Sequence, residues 1–102
     1  MTKAKYQQVW GTAVGKDCIN LDYSLAKWLG KRLVHLGTHT NCRPLGYADD
    51  DQAWNRDLTA HGESLLAYSR SGCDSIKTQT RKHRAAKKAM RFVATHFGQL
   101  WD

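Results

Sequence analysis

Apolar residues recur along this chain at the helical period, most plainly over residues 51 to 70. At 100° per residue, Leu58, His61, Leu65 and Tyr68 all fall within about 40° of Trp54, a narrow stripe that predicts an amphipathic helix. Three carboxylates, Asp49, Asp50 and Asp51, precede it where a helix N-terminus favours negative charge, and Gly72 offers a left-handed stop. A second stripe, Leu25, Leu29, Leu33 and Leu36 with Trp28 on its shoulder, predicts a helix over 23–37. Asp22 or Ser24 would cap that helix and Gly37 would end it. Arg32 projects into this stripe, so it must snorkel or find an anion. Residues 38–50, with Asn41, Pro44 and Gly46, read as a connecting loop.

The last predicted helix starts after a cap at Asp74 or Ser75 and runs to about Phe97. One arc of it holds Ala86, Ala89, Met90, Val93, Ala94, Phe97, Leu100 and Trp101, with Phe92 outside the stripe. The opposite arc holds Lys77, Arg81, Arg84, Lys87, Lys88 and Arg91, while Lys82 falls on the apolar side. The first twenty residues are ambiguous. Tyr6, Val9, Trp10, Ala13 and Val14 fit a helix stopped by Gly15, and the same stretch fits a β-hairpin turning at Gly15-Lys16-Asp17. Three or four helices with short connections predict an all-α fold, a compact bundle forming a single domain over 1–102.

Charge changes the picture more than composition does. Residues 75–101 contain no acid, and seven Lys/Arg lie within Lys77–Arg91. The rest of the chain carries nine bases and nine acids, so this segment alone accounts for the net charge of +7. Exposed helices ordinarily mix Glu with Lys at i,i+4, each pair adding roughly 0.2–0.5 kcal/mol. Here Arg84–Lys88 and Lys87–Arg91 repel instead. The bases also crowd the N-terminal half, where the helix dipole is already positive, and Thr78, Gln79 and Thr80 add neutral donors. That design suits a polyanion.

Other chemistry is thinner. His35, His39 and Cys42, completed by Cys73 or Cys18, form the one candidate zinc set, but the spacing departs from finger and ribbon patterns and there is no CxxC. The plainer reading is a surface histidine pair and buried thiols. Three widely spaced cysteines suit reduced thiols better than a disulfide scaffold. His61, one turn after Asp57, reads as a core histidine. Ser64 nearby lacks an elbow motif or an oxyanion hole, and the aspartate run lacks calcium-loop spacing. No cofactor motif is present, and an enzyme is not expected. Trp28, Trp54 and Trp101 fall on apolar stripes and are expected in the core.

The leading functional expectation is a small basic helical protein gripping the phosphate backbone of nucleic acid with Lys77, Arg81, Arg84, Lys87, Lys88 and Arg91. Its rival is a protein-binding regulator or inhibitor, of the kind phages and plasmids encode, docking on an acidic protein or nucleoprotein complex. The four-residue connection Ser71–Asp74 permits a helix-turn-helix without establishing one. A homodimer is a third expectation, because the apolar arc ending in Phe97, Leu100 and Trp101 is wide. Without a membrane-length apolar run or an apolar signal core behind Met1, the expected location is cytoplasmic.

Overall fold

Helices form where the stripes predict them, in a computed structural model that describes residues 8–47, 50 and 52–101. They are α1 (Ala13–Ile19), α2 (Leu21–His39), α3 (Ala53–Ser69) and α4 (Ile76–Thr95), with single 3-10 turns at Leu45–Tyr47, Ser71–Cys73 and Phe97–Gln99. The expected all-α bundle is present, and there is no strand among the described residues. Helix α1 covers Gly15-Lys16-Asp17, where the hairpin alternative placed its turn, and residues 8–10 are helical as well; residues 1–7 lie outside the described residues. The helix does not end at Gly15, however. The break falls at Gly11 and Thr12, whose Oγ1 accepts from the Gly15 N–H at 2.9 Å and starts α1.

Packing is centred on α3. Helices α2 and α4 both lie against it, α1 packs on α2, and the body measures 58 × 32 × 20 Å. The α2–α3 contact is made chiefly by close backbone approach at glycines, with Leu33 the one member of the leucine stripe fully buried in it. Its buried line on α2 is Ala26, Gly30, Leu33 and Gly37. A Cβ on Gly30 would lie 2.8 Å from the carbonyl oxygen of Gly62, and one on Gly62 would lie 2.8 Å from the amide nitrogen of Val34. Such an approach is open only to glycine. The other leucines are thereby rotated off centre: Leu25 is 44% exposed, and Leu29 and Leu36 are half-buried on the edge of the core.

Gly37 therefore does not end α2, which runs on to His39. Glycine costs about 1 kcal/mol within a helix, and here close packing on Thr59 and a side-chain clamp offset that cost. Asn55 donates through Nδ2 to the carbonyls of Gly37 at 2.9 Å and Thr40 at 3.0 Å, satisfying the end of the helix. At its start α2 has Asn20 as N-cap with no side-chain cap bond, not Asp22 or Ser24. Ahead of α3, Asp50 accepts from the Gln52 N–H at 2.8 Å and pairs with Arg56; Asp49 and Asp51 lie outside the described residues. Gly72 provides no left-handed stop, since among the described residues no glycine has positive φ, and α3 passes instead into the turn Ser71–Cys73.

Aromatic rings close the α3–α4 seam. Trp54 is 0% exposed and meets Tyr47, Phe92 and His96 at centroid distances of 5.0, 5.6 and 5.1 Å. Phe92, outside the predicted stripe, is drawn in by this cluster and stacks on His61 at 4.3 Å. Two other tryptophans are not core residues. Trp101 is exposed, and Trp28 is 55% exposed, carrying the Arg32 guanidinium 4.0 Å above its ring. Arg32 thus resolves its place in the stripe with a cation–π contact and a 3.0 Å bond to the Trp28 carbonyl. Among the described residues no helix is long and apolar enough to cross a membrane.

Candidate nucleic-acid interface

The cationic helix is built from its cap outward. Ser75, in extended conformation, is the N-cap of α4, and its Oγ accepts from the Thr78 N–H at 3.3 Å. Gln79 reaches back through Nε2 to the carbonyls of Ser71 at 2.9 Å and Gly72 at 3.2 Å, which fastens the helix to the preceding turn. Thr80 donates to the Ile76 carbonyl at 2.8 Å. The Gln79 amide and the Thr80 hydroxyl, expected as phosphate donors, are therefore occupied within the protein.

Beyond the cap, α4 has its core side at Ala86, Ala89 and Val93. At 100° per residue the six bases Lys77, Arg81, Arg84, Lys87, Lys88 and Arg91 centre opposite that line. All six are exposed, and among the described residues none of them forms an ion pair. From Lys77 to Arg91 the helix rises about 21 Å, at 1.5 Å per residue. The surface is a convex cationic ridge along a rigid rod. Lys82, the seventh base, stands apart and pairs with Asp74 at 2.6 Å.

On one flank the ridge borders a groove of about 320 Å³ between α2 and α4, whose lining includes Lys87 and Arg91. The groove was not legible in the sequence, because three helices contribute to it. At its end Tyr68 donates to Asp22 Oδ2 at 2.6 Å and stacks on His83. That bond holds the Asp22 carboxyl below its usual range, and with burial it pushes the Tyr68 hydroxyl up to about 12. On the other flank, burial lowers the His61 pKa, and Lys88 and His96 act in the same direction against the opposing pull of Asp57.

The remaining candidates do not assemble. His35 and His39 stack at 4.2 Å, and His39 Nδ1 lies 2.8 Å from the His35 carbonyl. Neither Cys42 nor Cys73 joins them, and no group of three or more metal-ligating side chains exists among the described residues. Cys18, Cys42 and Cys73 are free thiols, exposed rather than buried. Asp57 accepts from Tyr47 at 2.7 Å, and burial with this bond raises the Tyr47 pKa to about 12. Ser64 donates to its own helix at Ala60. The Asp57–His61–Ser64 set is thus spent on structure. Compared with protein families, with curated proteins and with solved structures, the chain matches none.

Proposed function

We propose that the protein binds nucleic acid through the phosphate backbone, using the outer face of α4. The supporting observation is the disposition of six bases opposite the buried line of the helix, each exposed and unpaired among the described residues. Like charges held on one rigid face cost stability through mutual repulsion, and a polyanion relieves that cost. Phosphates recruited by such a ridge release condensed counterions, so affinity falls steeply with salt. Arg81, Arg84, Lys88 and Arg91 are the principal contacts, with Lys77 and Lys87 at the margins.

The test is fluorescence anisotropy with a short DNA duplex, a short RNA duplex and a single strand, between about 50 and about 200 mM salt. Four to six contacts at ~0.9 each give a log–log slope between about −3.5 and −5.5 on duplex DNA. Arg84→Glu with Lys88→Glu should flatten the slope and weaken binding on all three probes. Equal binding by the double variant, or no binding of any probe by the parent protein, overturns the reading.

A further inference from the structure

We propose that the groove between α2 and α4 is a docking site for an acidic amphipathic helix of a partner protein. Its floor is apolar, formed by Ala26 of α2, Leu65 of α3 and Ala86 of α4. Leu25 and Met90 stand on its walls, 44% and 37% exposed respectively. On the α4 side, His83 and Arg91 lie eight residues apart, about 12 Å along the helix. That length accommodates two turns of a ligand helix with anchors at i, i+4 and i+7. The groove lies where two helices flank a third, the position a fourth helix takes in a bundle.

Charge selects the occupant. Lys87 and Arg91 line the groove, exposed and without an ion pair among the described residues. The one carboxylate in its lining, Asp22, accepts from the Tyr68 hydroxyl at 2.6 Å and keeps its charge, so the α2 side repels acids and the ligand's glutamates belong on the flank that faces α4. A ligand helix with glutamates along the flank facing α4 would meet two cations while its apolar face meets Leu25, Leu65 and Met90. A second copy is the poorer fit, because each chain carries +7 and would bring its own Lys87 and Arg91 to the junction. Since these two bases also belong to the phosphate-binding ridge, the partner helix and nucleic acid compete. Each weakens the other by the same factor, a coupling that rests on the nucleic-acid reading while the groove itself does not.

The experiment titrates the full chain, followed by amide NMR, with a synthetic peptide of about four helical turns. It carries leucines at i, i+4, i+7 and i+11 and glutamates along one flank, the one that would face α4. Shifts are expected at Leu25, Ala26, Leu65, Ala86 and Met90, with a micromolar Kd. A control peptide with lysine for every glutamate should bind about tenfold or more weakly. Met90→Glu and Leu25→Glu, at exposed positions and checked for an unchanged melting curve, should each abolish the peptide shifts and leave duplex binding intact. Arg81→Glu with Arg84→Glu should do the reverse. Equal affinity for both peptides, shifts confined to the outer ridge, or a dimer in light scattering that Met90→Glu dissolves would overturn the proposal. Peptide binding without any nucleic-acid binding leaves the groove standing and removes the ridge reading; the opposite pattern does the converse.

Discussion

Lys82 donates through Nζ to Asp74 Oδ2 at 2.6 Å, with about a third of each side chain exposed. This pair separates the seven bases of α4 into one that is structural and six that are free to act. Lys82 sits on the core side of the helix, where an uncompensated charge would be costly, and the acid just ahead of the helix removes that cost.

Lys82→Ala should accordingly change duplex affinity by less than about twofold, whereas Arg84→Ala should lose a phosphate contact and its share of the salt slope. The Lys82 variant should lose about 0.5–1 kcal/mol of stability, a modest figure because the pair is partly solvated. Anisotropy and urea unfolding on the same two variants check both halves.

Gly62→Ala should destabilise the fold even though alanine is the better helix former. The added Cβ would meet the Val34 nitrogen at 2.8 Å and the Gly30 carbonyl at 2.9 Å, and backbone cannot move aside as a side chain can. A net loss of about 1–3 kcal/mol is expected in urea. Gly72→Ala is the control: nothing lies within 4 Å of its Cβ, so no loss is expected.

His61 makes stability depend on pH between neutrality and mild acid. Its pKa in the folded protein is lowered by burial, so the unfolded chain binds more protons as pH falls below about 6.5. The contribution is intact above that value and declines as pH falls through the folded pKa. Urea midpoints measured from pH 7.5 to 5 should fall less in His61→Phe, which keeps a ring against Phe92.

Tyr68 and Tyr47 should titrate late. Both hydroxyls are pushed up to about 12, Tyr68 first by its bond to Asp22 and Tyr47 first by burial. The protonated forms belong to the folded state, so their contribution is present below pH 10 and is lost as pH rises toward 12. In an alkaline absorbance titration, Tyr68→Phe should remove one late-titrating hydroxyl and Tyr47→Phe the other. The same substitution should let the Asp22 carboxyl titrate at higher pH, visible by carbon NMR, since its lowering comes first from Tyr68.

Much of the fold was readable in particular residues. The Trp54-Leu58-Leu65 stripe lies buried on α3, and Ser75 caps α4 as its residue type suggested. The six bases occupy the outer side because their spacing is helical and the helix is real. Misreadings cluster at glycine and tryptophan. Gly37 has the local character of a terminator, and only contact with Thr59 and Asn55 turns it into a packing residue. Trp28 has the hydrophobicity of a core residue, yet α2 turns its glycine line inward and leaves Trp28 to Arg32. Both outcomes are decided by α3, which takes the glycine line of α2 through Gly62, Thr59 and Asn55 and so sets which side of α2 faces out.

Local order determined what each helix is: its period, its cap and the sign of its polar face all follow from residues within a few turns, through short-range sterics and charge. Tertiary structure decided how α2 is rotated, which of the seven bases is neutralised, and that α2 and α4 stand apart around a groove. These depend on how closely two backbones approach and on which distant side chain arrives at a given atom, and spacing along a chain carries no record of either.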